Sequence, residues 1–273
     1  MTYIVAELGA SHNGNIGTMY ELVEAAKWAG ADAVKLQTYK PEDMVPNDGY
    51  VVKEGTWAGH NLFDLYEKAA TPQRWHQDIF RLAYANYIEC FSSPFSTEAV
   101  DFLETLGCPK YKIASFEIGN GDLLRAVART GKPAFISTGL ATDDEIEAAL
   151  DIIPYAVLLH CVSAYPAPLE EMNLLRMVSF GDMVGLSDHT IGSEAAVIAT
   201  ALGASVIEKH LMIRRDETGP DSSFSSTPYE FKAMVDAVRR TERALGDGEY
   251  RISESEKSNL QFKRRGQYRG LAA

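Results

Sequence analysis

Eight short apolar runs recur along this chain, each followed by a stretch in which apolar residues return every three or four positions. The runs cover 3–8, 33–39, 88–93, 111–115, 134–138, 156–162, 184–188 and 205–213. They show little strict alternation, as expected for strands of a parallel sheet whose outer face is covered. Helical patterns fill the gaps. Met19, Leu22, Val23 and Ala26 share one face, and Gly30 ends that helix. Thr71 and Pro72 read as a cap and a first-turn proline ahead of the stripe Trp75, Ile79, Leu82, Ala83. Ser96 caps a helix carrying Ala99, Phe102, Leu103 and Leu106. Thr142 with Glu145, and Thr227 with Glu230, read as capping boxes, the second leading into Phe231, Met234, Val235 and Val238.

The same punctuation, "AGADAV", "TGKPAF" and "LGASVI", returns between helix and strand. Eight β/α units in about 250 residues predict an α/β fold of one domain, a TIM-type (β/α)8 barrel over 1–250, with 251–273 as a C-terminal tail. A doubly wound open sheet would place a GxGxxG turn after its first strand, and "ELGASHNG" is not one.

Composition narrows the function. The 273 residues are 46% hydrophobic, enough for a large core, and carry a net charge of −12. No basic stripe supplies phosphate contacts, which argues against nucleic acid as a partner. The one basic cluster, Lys263, Arg264, Arg265 and Arg269, reads as a solvated end of the chain. Cys90, Cys108 and Cys161 are odd in number and irregularly spaced, as in a reducing compartment. The N-terminal "MTYIVAELG" has no signal-peptide pattern, and no uncharged run reaches the ~18–20 residues that span a bilayer. A cytoplasmic protein with no membrane partner is expected.

In such a barrel the chemistry belongs at the C-terminal ends of the strands. Those ends are polar here: Glu7, Ser11, His12, Lys35, Gln37, Ser92, Ser93, Lys112, Ser115, Glu117, Ser137, Thr138, His160, Ser163, Tyr165, Ser187, Asp188, His189, Glu208 and His210. Lys209, out of phase with His210, is expected to point outward. Lys35 and Lys112, with hydroxyls on neighbouring strands, predict a local basic pocket for a phosphorylated or carboxylated small ligand. His189 and His210 are 21 residues apart, one strand-helix-strand unit, which puts both on adjacent strands at similar height. Two ligands to a catalytic divalent metal and two hydrogen-bonded neutral core histidines fit that spacing equally.

The stretches "IVAELGASHNG", "GADAVKLQTYKPEDMV", "FSSPFSTEAVDFLETLGCPKYKIASFE", "LLHCVSAYPAPLEEMNL" and "GLSDHTIGSEAAVIATALGASVIEKHLMI" run in order over most of the chain. Together they make the sequence resemble the sialic acid synthase (N-acetylneuraminate synthase) family. The resemblance implies condensation of phosphoenolpyruvate with an N-acylated hexosamine of the N-acetylmannosamine type, giving a nonulosonic acid and phosphate. It also implies roles. Lys35 and Lys112 would bind the phosphoenolpyruvate carboxylate, and Ser93, Ser115, Ser137 and Ser163 would lie about its phosphate. Glu7 would serve the reaction centre, and Gln37, Tyr165 and Asp221 would lie near the acceptor. His189 and His210 would hold a divalent metal, manganese first, with magnesium or cobalt as alternatives.

Ser11 and Ser163 depart from the family, which usually has asparagine at both. "GPDSSFS" resembles the pseudaminic-acid branch. The family's C-terminal antifreeze-like domain has no counterpart in "FKRRGQYRGLAA", so a separate antifreeze-like domain protein and a homo-oligomer are the expected partners. The alternatives are condensation on a different sugar aldehyde, and a phosphoenolpyruvate-binding barrel whose turnover is lost or depends on a partner.

Overall fold

The computed structural model describes residues 1–215 and 218–263. All eight runs are strands: β1 (Tyr3–Glu7), β2 (Ala33–Thr38), β3 (Glu89–Pro94), β4 (Tyr111–Ile113), β5 (Ala134–Ser137), β6 (Val157–Cys161), β7 (Val184–Asp188) and β8 (Val206–His210). They pair in parallel in chain order, and β8 closes onto β1. Around them lie α1 (Ile16–Ala29), α2 (Pro41–Met44), α3 (Leu62–Ala69), α4 (Gln73–Ala85), α5 (Thr97–Thr105), α6 (Gly121–Arg129), α7 (Asp143–Ile152), α8 (Glu194–Ala201), α9 (Pro228–Leu245) and α10 (Glu254–Lys257). The crossover from β6 to β7 is made by 3₁₀ turns at Leu169–Glu171 and Leu174–Phe180.

Local chemistry explains the boundaries. Gly30 ends α1 in the left-handed conformation, φ +91°, where a side chain would be strained. Ser96 caps α5, and both predicted capping boxes form, at Thr142/Glu145 and Thr227/Glu230; such a cap contributes about 1 kcal/mol. The cap expected from Thr71 does not form. Pro72 is extended, φ −56° and ψ 129°, and itself precedes the first turn of α4. The Thr71 hydroxyl is thereby one residue too distant to cap, and it is buried without a hydrogen bond.

One core cluster lies between α1, α4, α8 and α9 and the strands they cover, with Met19, Leu22, Ile79, Phe231 and Val238 fully buried. The other lies under α5, α6 and α7 and extends into the barrel floor, where Phe91 and Phe135 meet edge to face at 5.7 Å. Lys110 ion-pairs with Glu89 at 2.5 Å and sits 4.3 Å over the Tyr3 ring. These groups mark the N-terminal ends of β1, β3 and β4, so the floor is plugged there.

Lys209 points outward as expected, but not to water. It points away from the barrel interior, but into the layer between strand and helix and not into solvent. It is 1% exposed and bonds Asp188 at 2.7 Å and the Thr190 carbonyl at 2.6 Å. Its phase against His210 was informative; its outlet was not, because a barrel strand has protein on both faces. Among the described residues no helix is long and apolar enough to cross a membrane. Lys263 is exposed, and Arg264, Arg265 and Arg269 lie outside the described residues.

Candidate active site

The strand register stacks the polar residues at one height. Glu7 is paired with Lys35 on one side and with His210 on the other, and Gln37 stands opposite Ser93. Lys35 contacts the Glu7 carboxylate, donates to Ser93 Oγ at 2.9 Å and lies 3.6 Å from Glu208 Oε1. Lys112, on β4, reaches across the lumen to 3.7 Å from the same Glu208 oxygen. Gln37 Nε2 and the Gly9 amide both donate to Glu7 Oε1, at 3.0 and 2.9 Å. That accounts for one oxygen of Glu7 and directs the other to the lysine.

The two lysines are held differently. Burial pulls the Lys35 ammonium down, but the Glu208 and Glu7 carboxylates outweigh it and hold the group above the usual lysine range. Burial also pulls Lys112 down; Glu208 opposes this, but the Lys35 charge reinforces it, and Lys112 ends below the usual range. Glu208 is drawn below the carboxylate range because the lysines outweigh its own burial. The expected basic pocket is therefore a balanced one: two buried lysines face two buried carboxylates, and Lys112 is the cation left short of a partner. Glu208 Oε2 and Ser137 Oγ are buried without hydrogen bonds. Of the two, only the Ser137 hydroxyl can donate to an anion, and a free donor near an under-compensated cation suits one, whereas the Glu208 oxygen would repel it.

Ser115 and Ser163 flank Gly139. A β-carbon there would stand 2.8 Å from Ser115 Oγ and 2.1 Å from Ser163 Oγ, so only glycine lets both hydroxyls converge. Gly9 plays the same part at the far wall, where φ is +39° and a β-carbon would meet Asp221 Oδ2 at 2.3 Å. Asp221 accepts from the Ala10 amide at 2.9 Å and lies 3.4 Å from His210 Nδ1. Burial would raise this carboxyl, but the His210 contact prevails and holds it low.

His189 and His210 are neighbours, with ring centroids 5.6 Å apart. His189 Nδ1 faces the Val162 carbonyl at 3.2 Å, and His210 Nδ1 is buried without a hydrogen bond. Among the described residues no group of three His, Cys, Asp or Glu is gathered for a metal. Two imidazoles with open positions are still a donor set that fits a divalent cation sharing its shell with substrate and water. Tyr165 packs on His189 at 4.4 Å, and Phe224 packs on His210 at 4.9 Å, so both rings have an aromatic wall.

All twelve residues singled out from the sequence for a role thus converge on the C-terminal mouth. Other strand-end residues do not join them. His160 turns to the Met172 carbonyl at 2.6 Å, His12 faces the Ala69 carbonyl at 3.2 Å, and Asp188 is taken by Lys209. Ser92 bonds Thr38 at 2.6 Å, and the half-buried Glu117 accepts from Asn120 Nδ2 at 3.0 Å. The shared role of Glu208 was missed, although its even spacing from His210 puts it on the same face. Gly139 and Phe224 carry no signal that one sequence could reveal, and Trp57 has only its place in the loop 45–61, the stretch the sequence offers as a lid.

The comparisons show the family and the fold. The NeuB family model matches residues 22–250. A pseudaminic acid synthase of Helicobacter pylori is 46% identical over 262 residues, covering 92% of this chain and 77% of that protein. An N,N'-diacetyllegionaminic acid synthase of Campylobacter jejuni is 36% identical, covering 97% of this chain and 83% of that one. The crystal structure of an N-acetylneuraminic acid (sialic acid) synthetase from Leptospira borgpetersenii, in complex with citrate, superposes with a TM-score of 0.86 at 29% identity, covering 96% of this chain and 90% of that one.

Proposed function

The chain belongs to the NeuB family, a family of sialic-type nonulosonic acid synthases, and on that premise we propose that it condenses phosphoenolpyruvate with an N-acylated hexosamine. The greater likeness to a pseudaminic acid synthase than to a legionaminic one favours a pseudaminic-type product. One observation carries the reading: the under-compensated Lys112 beside Lys35, with the orphaned Ser137 hydroxyl above them.

In this reading Lys112 and Lys35 take the phosphoenolpyruvate carboxylate, and Ser93, Ser115, Ser137 and Ser163 surround its phosphate. That pose directs C3 of the enol towards the acceptor aldehyde between Gln37, Tyr165 and Asp221. The C3–carbon bond forms as the aldehyde C=O opens, leaving an oxyanion there and a cationic C2. A divalent cation held by His189 and His210, manganese first, would polarise the aldehyde oxygen and stabilise the charge it acquires. Water adds to C2 and its proton is passed on, a transfer we assign to the Glu7 carboxylate. The former aldehyde oxygen ends as a hydroxyl, and C–O cleavage at C2 releases phosphate and leaves the 2-keto acid.

The test is phosphate release from phosphoenolpyruvate with manganese and a panel of N-acyl hexosamines. Release that depends on one of them is expected, and none with any of them would overturn the reading.

A further inference from the structure

A segment outside the barrel lies across its mouth. Between α2 and α3, Val51 and Asn61 bridge antiparallel, and the loop between them carries Trp57 towards the far side of the opening. Four contacts fix it there. Trp57 Nε1 donates to the Pro220 carbonyl at 2.9 Å, and Thr56 Oγ1 donates to the Tyr165 carbonyl. The indole packs on Tyr165 at 5.4 Å and on Phe224 edge to face at 6.4 Å. Those two rings are the ones that wall His189 and His210.

Trp57 is only half-buried, and it lines a cavity of about 630 Å³ with Asn61, Asp64, Ser222 and Ser223. A cavity of that size suits one small ligand, and its aromatic plate with amide, carboxylate and hydroxyl groups suits a sugar, while Lys68 and Arg215, which also line it, add hydrogen-bond donors for carbonyl and hydroxyl oxygens. Between its lining residues Pro220 and Ser222 the chain turns Asp221 inward to the Ala10 amide at 2.9 Å, on the wall of the mouth. An indole beside such groups offers an apolar face to the methyl of an acyl substituent while the polar groups take the hydroxyls.

We infer that this segment is the chain's own wall for the acceptor sugar, and that Trp57 is the specificity-determining residue for its acyl group. The inference rests on the proposed condensation and deepens it. Trp57 contacts Pro220, Tyr165 and Phe224 on the acceptor side, so it should govern which acceptor binds and not how phosphoenolpyruvate is held.

The experiment compares wild type, Trp57→Ala and Trp57→Phe in steady-state phosphate release, with N-acetylated hexosamine and the unacylated parent sugar as acceptors. Calorimetric titration of each acceptor accompanies the kinetics. For Trp57→Ala, KM for the N-acyl acceptor should rise at least tenfold, with KM for phosphoenolpyruvate within twofold of wild type. The preference for the acylated sugar should fall by a similar factor, and Trp57→Phe should keep most of it. An equal loss with both sugars, or a loss confined to kcat, would make Trp57 a mere clasp and overturn the inference. So would unchanged acceptor affinity in Trp57→Ala. Failure of wild type to release phosphate with any acceptor would instead strike the proposed condensation, before any variant is compared.

Discussion

Lys35 and Lys112 look equivalent in the sequence, yet their removal should have unequal consequences for the fold. Consider each lysine replaced by methionine, which keeps most of the volume and deletes the charge. Lys35 stands between two carboxylates, in contact with Glu7 and 3.6 Å from Glu208, and its folded state favours the ammonium. Its loss leaves two buried carboxylates with only Lys112 for company. Breaking a buried pair from one side costs roughly 3–5 kcal/mol. At 2–4 °C per kcal/mol that is a fall in Tm of roughly 6–20 °C.

Lys112 has one partner, Glu208 at 3.7 Å, which it shares. The attraction at that distance is roughly 4–5 kcal/mol at an effective dielectric of about 20. Burial and repulsion from Lys35 exceed it, since the group ends below the usual lysine range. Lys112→Met should therefore change stability by no more than about 1 kcal/mol, in either direction. Phosphoenolpyruvate should then bind at least tenfold more weakly, since a bond to a charged group is worth roughly 1.5–3 kcal/mol. Thermal and denaturant unfolding of the ligand-free variants, with calorimetric titration of phosphoenolpyruvate, would decide it. A Lys112→Met protein as unstable as Lys35→Met, or one with unchanged affinity, would refute the unequal compensation on which the anion site rests.

Stability should fall in acid through His76, which is fully buried between Thr38 and Pro72 and pushed down to about 4 by desolvation. The unfolded chain takes that proton near pH 6.5 and the folded one only near 4, so the contribution is complete above 6.5 and is lost as pH falls through that window. The loss reaches about 3 kcal/mol, His12 and His160 shift in the same direction, and denaturant melts of His76→Gln should show a flatter acid limb. Gly139→Ala should raise KM for phosphoenolpyruvate at least tenfold with little change in Tm, because the new methyl displaces the Ser115 and Ser163 hydroxyls and not the core. Chelation should abolish turnover and manganese restore it, while His189→Ala should abolish manganese binding measured by calorimetry; full activity after exhaustive chelation would refute the metal site.

Apolar periodicity alone determined the eight strands and their order, since an alternation of near-continuous apolar runs with 3.6-residue stripes has few other solutions in a chain of this length. It also put Glu7, His189 and His210 towards one end of the barrel, because a strand-end position follows from where each run stops, whereas Lys35 and Lys112 lie inside their strands and reach the same site through their long side chains. Who faces whom was decided by closure. β8 pairing with β1 sets His210 against Glu7, and the narrow lumen lets Glu208 serve lysines on β2 and β4 at once. The period of two told that Lys209 and His210 part company, but only the packed helical layer decided that Lys209 ends on Asp188 and not in water. Likewise Trp57 sits in a polar loop with no periodicity to read, and its meeting with Pro220, Tyr165 and Phe224 exists only because the closed barrel brings the loops after β2, β6 and β8 to one rim.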